Sequence, residues 1–131
     1  MKQELQNRLF AKYPRLYQDR NKDMTQTAMC WGIECGDGWY TLLDCLSSVI
    51  EEHVENETLN NPTKEHYPVA SQVKEKYGGL RFYTTTCDPY IDGAIRVAEK
   101  LSYSICEMCG KPGILNKHGW MRTLCEECRE K

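Results

Sequence analysis

Four cysteines near the C-terminus constrain this chain more than any other feature. Cys106-Glu-Met-Cys109 and Cys125-Glu-Glu-Cys128 are two C-x-x-C pairs with fifteen residues between them. Two residues between thiols let one tight turn aim both sulfurs at a point, and two such turns complete a tetrahedron. Gly110, directly after Cys109, suits a turn whose backbone must curl toward the thiolates without a Cβ in the way. The spacing predicts one structural Zn2+ per chain, with four thiolates closing the coordination sphere against catalysis. A redox-active C-x-x-C would account for one pair and leave the other unexplained. A segment this short cannot bury enough surface by itself, so it is expected to be disordered without metal.

The remaining cysteines, Cys30, Cys35, Cys45 and Cys87, are irregularly spaced, and most of them read as buried thiols acting as small hydrophobes. No apolar run approaches the roughly 18 residues of a membrane span. The start, MKQELQNRLFAKYPR, lacks the apolar core and cleavage site of a secretory signal. A cytoplasmic location is therefore expected. Net charge is −2 and the pI about 5.9, which argues against general DNA binding. Charge is uneven, however. Lys2, Arg8, Lys12, Arg15, Arg20 and Lys22 make the first 22 residues basic, whereas residues 34–57 carry seven acids and no Lys or Arg. These stretches are expected to be solvated or to meet within the fold; an acidic surface for a basic partner, or a homo-oligomer, is the sharper alternative.

Periodicity along the chain predicts an α+β fold. A short amphipathic helix is expected over 3–13, and a stronger one over about 39–56 with Asp37 as its N-cap. Residues 68–86 alternate as two strands around Tyr77-Gly78-Gly79, with Val69, Ser71 and Val73 on one face. Asp88 and Pro89 announce a helix over about 89–103. The expected organisation is an α+β core over 1–104 followed by a four-cysteine ribbon over 105–131, its strands at Gly113–Leu115 and Gly119–Met121.

The segments CGDGWYTLLDCL, QVKEKYGGLRFY and CEMCGKPGILNKHGWMRTLCEEC together resemble a family of small proteins of tailed bacteriophages and prophages. The resemblance covers most of residues 30–128. It implies expression in an infected bacterial cell and action on host machinery such as transcription, replication, restriction or nucleotide-signal immunity. It carries no catalytic residues with it.

Three clusters hold candidate ligand-binding residues. Lys76, Tyr77, Arg81 and Tyr83, on or beside the hairpin turn, combine cations and rings suited to a phosphate and a base. Trp31 and Trp39 flank a glycine-rich turn with Glu34 and Asp37, where a pocket for a base or ribose is the sharper reading and core packing of tryptophans at a helix start the commoner one. Trp120 sits with Lys117, His118 and Arg122 in the ribbon loop, where packing onto the helical core is its expected role. No nucleophile–base–acid set or phosphate loop stands out, and His53, His66 and His118 are not at metalloenzyme spacing. The resulting expectation is a non-enzymatic, Zn2+-stabilised accessory protein that binds a small nucleotide, sequestering a host immune signal. The alternatives are an adaptor for a host protein or nucleic acid working through the ribbon, and a nucleotide-processing enzyme.

Overall fold

The computed structural model describes all 131 residues. Helix α1 (Gln3–Lys12) leads through two 3-10 turns (Gln18–Asn21 and Ala28–Trp31) to the short strand β1 (Ile33–Glu34). A third turn (Asp37–Trp39) opens α2 (Tyr40–Asn60); β2 (Ala70–Lys76), β3 (Gly79–Thr84) and α3 (Pro89–Ser102) follow. The C-terminal part contains β4 (Ile114–Leu115), β5 (Thr123–Leu124) and α4 (Glu126–Arg129). The class is α+β, as the periodicity predicts.

The main sheet has the order β1-β2-β3. β2 and β3 are antiparallel, with Val73 opposite Phe82 and Lys74 opposite Arg81, while β1 runs parallel to β2 through Ile33 and Val73. Alternation along β3 buries Leu80 and Phe82 and turns Arg81 and Tyr83 outward. In β2 a bulge between Ala70 and Gln72 shifts the pattern. Ala70 and Val73 are buried, and Val69 and Ser71 are not. An extra residue in one strand moves the following side chains to the other face, so the expected Val69/Ser71/Val73 face does not form.

Beneath the sheet, Leu43, Ile50, Ile91 and Ile95 from α2 and α3 meet Leu9, Leu16 and Tyr17 from the N-terminal segment. Trp39 is fully buried among them. The free edge of β3 is occupied by α3. Leu80 N donates to Ser102 Oγ at 2.9 Å, and Phe82 N donates to Glu99 Oε2 at 3.0 Å. These side chains satisfy amides that would otherwise invite another strand.

Half of the six basic residues of the N-terminal stretch meet the acidic stretch within the fold. Lys2 pairs with Asp37 at 3.7 Å, Lys12 with Asp44 at 2.8 Å and Arg15 with Glu51 at 2.6 Å. The basic N-terminal segment lies along the acidic helix. Asp88 caps α3 as expected, accepting from Ile91 N at 2.8 Å. Asp37 does not cap α2: its Oδ1 accepts from Lys2 N, and the 3-10 turn places Trp39 at the cap position. Of the four isolated cysteines only Cys35 is buried; Cys30 is half-buried, and Cys45 and Cys87 are exposed. No helix is long and apolar enough to cross a membrane.

Candidate metal centre and hairpin-tip cleft

Cys106, Cys109, Cys125 and Cys128 converge, with all four sulfurs within 4.8 Å of one another. The Sγ atoms of Cys109 and Cys125 are 3.6 Å apart, close to the ~3.8 Å edge of a tetrahedron with metal–sulfur bonds of about 2.3 Å. The first knuckle closes through Gly110 N donating to Cys106 O at 2.9 Å, with Gly110 at φ 84°. The second forms where α4 starts, as Cys128 N donates to Cys125 Sγ at 3.4 Å. Burial opposes ionisation of Cys106, but surrounding backbone amides prevail and bring its thiol down to about 6. Hydrogen bonding with neighbouring thiols, above all Cys125, pushes Cys128 up to about 12. Four cysteine sulfurs this close can all ionise only with a cation between them, and a structural metal ion fits the donor set.

The strands of this module differ from the expected segments. β4 begins one residue later than expected, and its partner β5 lies at Thr123–Leu124 rather than Gly119–Met121. The intervening loop is tight. Asn116 N donates to Arg122 O at 2.8 Å, His118 N to Asn116 Oδ1 at 3.0 Å, and Asn116 Nδ2 to Trp120 O at 3.3 Å. Spending residues 116–122 on this turn pushes the pairing outward along the sequence.

The metal module is bonded into the core at two places. At the first, Gly38 N donates to Glu107 O at 2.7 Å and Gly36 N to Glu107 Oε2 at 2.9 Å. Trp39 Nε1 donates to Ile105 O at 2.9 Å beside them. A Cβ on Gly38 would stand 2.1 Å from Cys106 O and 2.6 Å from Gly110 N. The glycines of CGDGW therefore let the core touch the first knuckle. At the second place, Thr123 Oγ1 donates to Gly78 O at 2.7 Å, a buried bond under the hairpin turn.

That turn is Tyr77-Gly78, with φ of 53° and 84°. Both central residues are left-handed, as a two-residue hairpin with the sheet's twist requires. Glycine adopts this readily; a tyrosine there costs roughly 1–2 kcal/mol. Tyr77 is 65% exposed and Trp120 is 81% exposed. Both rings line an open cleft of about 450 Å³ between the turn and the ribbon loop, beside Lys76, Glu75 and Met121. Trp120 thus projects from the module, and the expected packing onto the helical core does not occur.

The structure separates the other candidates. Trp39 lies in the core with its only polar atom bonded to Ile105, out of reach of a ligand. Trp31 is exposed in a polar cleft beside α1, with Gln3, Gln6 and Arg20. Arg81 and Tyr83 face outward from β3, and Arg81 Nη1 is held by Leu80 O at 2.9 Å and Tyr103 OH at 3.3 Å. Lys76 and Tyr77 alone among the non-cysteine candidates share a cleft with Trp120. The three glycines in CGDG and KYGGL that contact the module were the available signal for this arrangement, since such glycines mark close backbone approach. The chain matches no protein-family model, no curated protein and no solved structure.

Proposed function

We propose that this chain is a zinc-stabilised, non-catalytic binding module that takes a nucleotide between the hairpin turn and the ribbon loop. The observation that carries the reading is the pair of exposed rings, Tyr77 and Trp120, lining one cleft beside Lys76. Nucleobases stack on such rings at about 1–3 kcal/mol per base, and an ammonium beside them offers a partner for the phosphate. Lys117 and Arg122 on the ribbon loop add local positive charge to a chain of net charge −2. That combination favours a small or single-stranded ligand over duplex DNA. Zinc is the ion of choice because a closed four-thiolate tetrahedron suits it, and its role here is to fix the ribbon loop against the turn. Expression in a phage-infected cell, implied by the resemblance, would make a host signalling nucleotide the natural ligand.

Calorimetry with a panel of cyclic and linear nucleotides and short single strands tests the reading. Binding tighter than millimolar, weakened at least tenfold by Trp120→Ala or Tyr77→Ala, is the expected result. Binding of strands alone would identify a strand binder rather than a sink for free nucleotides. No binding by any member would overturn the proposal. The 81% exposure of Trp120 supports a second reading, in which the ring anchors a partner protein, because tryptophan dominates interface hot spots. A host protein retained by the wild type and released by Trp120→Ala would favour that adaptor.

A further inference from the structure

At the end of β3 remote from the turn, the C-terminal half of α2 meets the start of α3 through three side chains. His53 Nε2 stands 2.7 Å from Asp88 Oδ2 and 3.5 Å from Glu57 Oε1. The ligand-capable atoms of all three lie within 4.8 Å of one another. Donors bound to one divalent ion at about 2.0–2.2 Å stand roughly 2.9–3.5 Å apart, so modest side-chain adjustment admits an ion among them.

Each of these groups is also held from behind. The His53 ring stacks on Tyr90 with centroids 4.2 Å apart and planes within 11°. Asp88 Oδ1 accepts from Ile91 N at 2.8 Å, leaving Oδ2 toward His53. Glu57 Oε2 pairs with Lys64 Nζ at 3.4 Å, leaving Oε1 toward His53. Ligating carboxylates in metal sites are commonly hydrogen-bonded through their other oxygen in this way, and stacking on Tyr90 fixes the orientation of the His53 ring.

We propose that His53, Glu57 and Asp88 form a second metal site, distinct from the cysteine centre, for a divalent transition ion. One imidazole and two carboxylates suit zinc, cobalt or manganese. Three protein ligands leave coordination positions open for water or an anionic ligand, unlike the closed four-thiolate site. Glu57 follows His53 by one helical turn, which puts both on one face of α2. Asp88 arrives from 31 residues beyond Glu57 through the fold, so a search for paired histidines passes over the site.

Cobalt substitution of the full chain, read by native mass spectrometry and absorption, tests the proposal. Two cobalt ions per chain are expected. The first gives the intense sulfur-to-metal charge-transfer bands of a thiolate site, and the second adds weak bands without them. His53→Ala and Glu57→Gln should each weaken the second ion at least tenfold and leave the thiolate bands intact. The Gln variant preserves side-chain shape, so it reports even if the Ala variant is unstable. Only one ion bound by the wild type, or a second ion retained by both variants, would overturn the proposal and leave these residues as an ion-pair network joining two helices.

Discussion

At the residue scale, glycines and exposed rings explain more of this molecule than its charges do. Gly38 stands where any side chain would strike the backbone of the first cysteine knuckle. Gly38→Ala is predicted to destabilise the protein by about 3 kcal/mol or more and to weaken metal retention, measured by thermal unfolding and a chelator competition. Gly93, in the middle of α3, has nothing within 4 Å of a built Cβ. Gly93→Ala should instead stabilise by about 0.5–1 kcal/mol through helix propensity. Equal effects of the two substitutions would refute the close-approach account. The tryptophans carry the opposite lesson about reading residues singly. Trp39, beside polar and glycine residues, is buried; Trp120, in a metal ribbon expected to pack inward, is exposed.

At the scale of elements, helix α1 is tied to α2 through one carboxylate. Asp44 Oδ1 accepts from Lys12 Nζ at 2.8 Å and from Tyr13 OH at 2.7 Å. Burial would raise the Asp44 pKa, but these hydrogen bonds outweigh it and hold the carboxyl below its ordinary 3.8. A depressed folded-state pKa stabilises the fold above the unfolded value, and that stability is lost as the pH falls through the folded value. Asp44→Asn should therefore cost about 1 kcal/mol at neutral pH. Its unfolding temperature should also fall less steeply than the wild type's between about pH 5 and pH 3; parallel curves would remove Asp44 from the acid response.

The elements legible in the sequence are those set by local signals. α2 and α3 follow apolar spacing, α3 its Asp-Pro start, and the hairpin its glycine turn. β1 was not legible, because two residues pair with a strand forty positions away and carry no periodicity. The β2 bulge and the ribbon register escaped for the same reason: tertiary contacts select them. The four cysteines of the metal site were readable because their spacing itself encodes the two knuckles. The cleft was only half readable, since Tyr77 and Trp120 are brought together by the bond from Thr123 to Gly78.

At the scale of the whole molecule, the cysteine module acts as a clamp. It grips the turn before α2 through Glu107 and the hairpin through Thr123, so a metal ion held by the four cysteines would organise two loops of the core. Metal binding in small cysteine modules releases roughly 10–16 kcal/mol, comparable with the stability of a whole domain. Loss of the ion should therefore free both gripped loops along with the ribbon, whereas the α2–α3 core keeps its own apolar packing. Hydrogen exchange followed by mass spectrometry, before and after removal of the metal by a chelator, tests this most directly. The account predicts lost protection over residues 106–128 together with 36–39 and 76–80, and retained protection in α2 and α3. Protection unchanged across the ribbon, or lost there without any response at the two glycine loops, would contradict it.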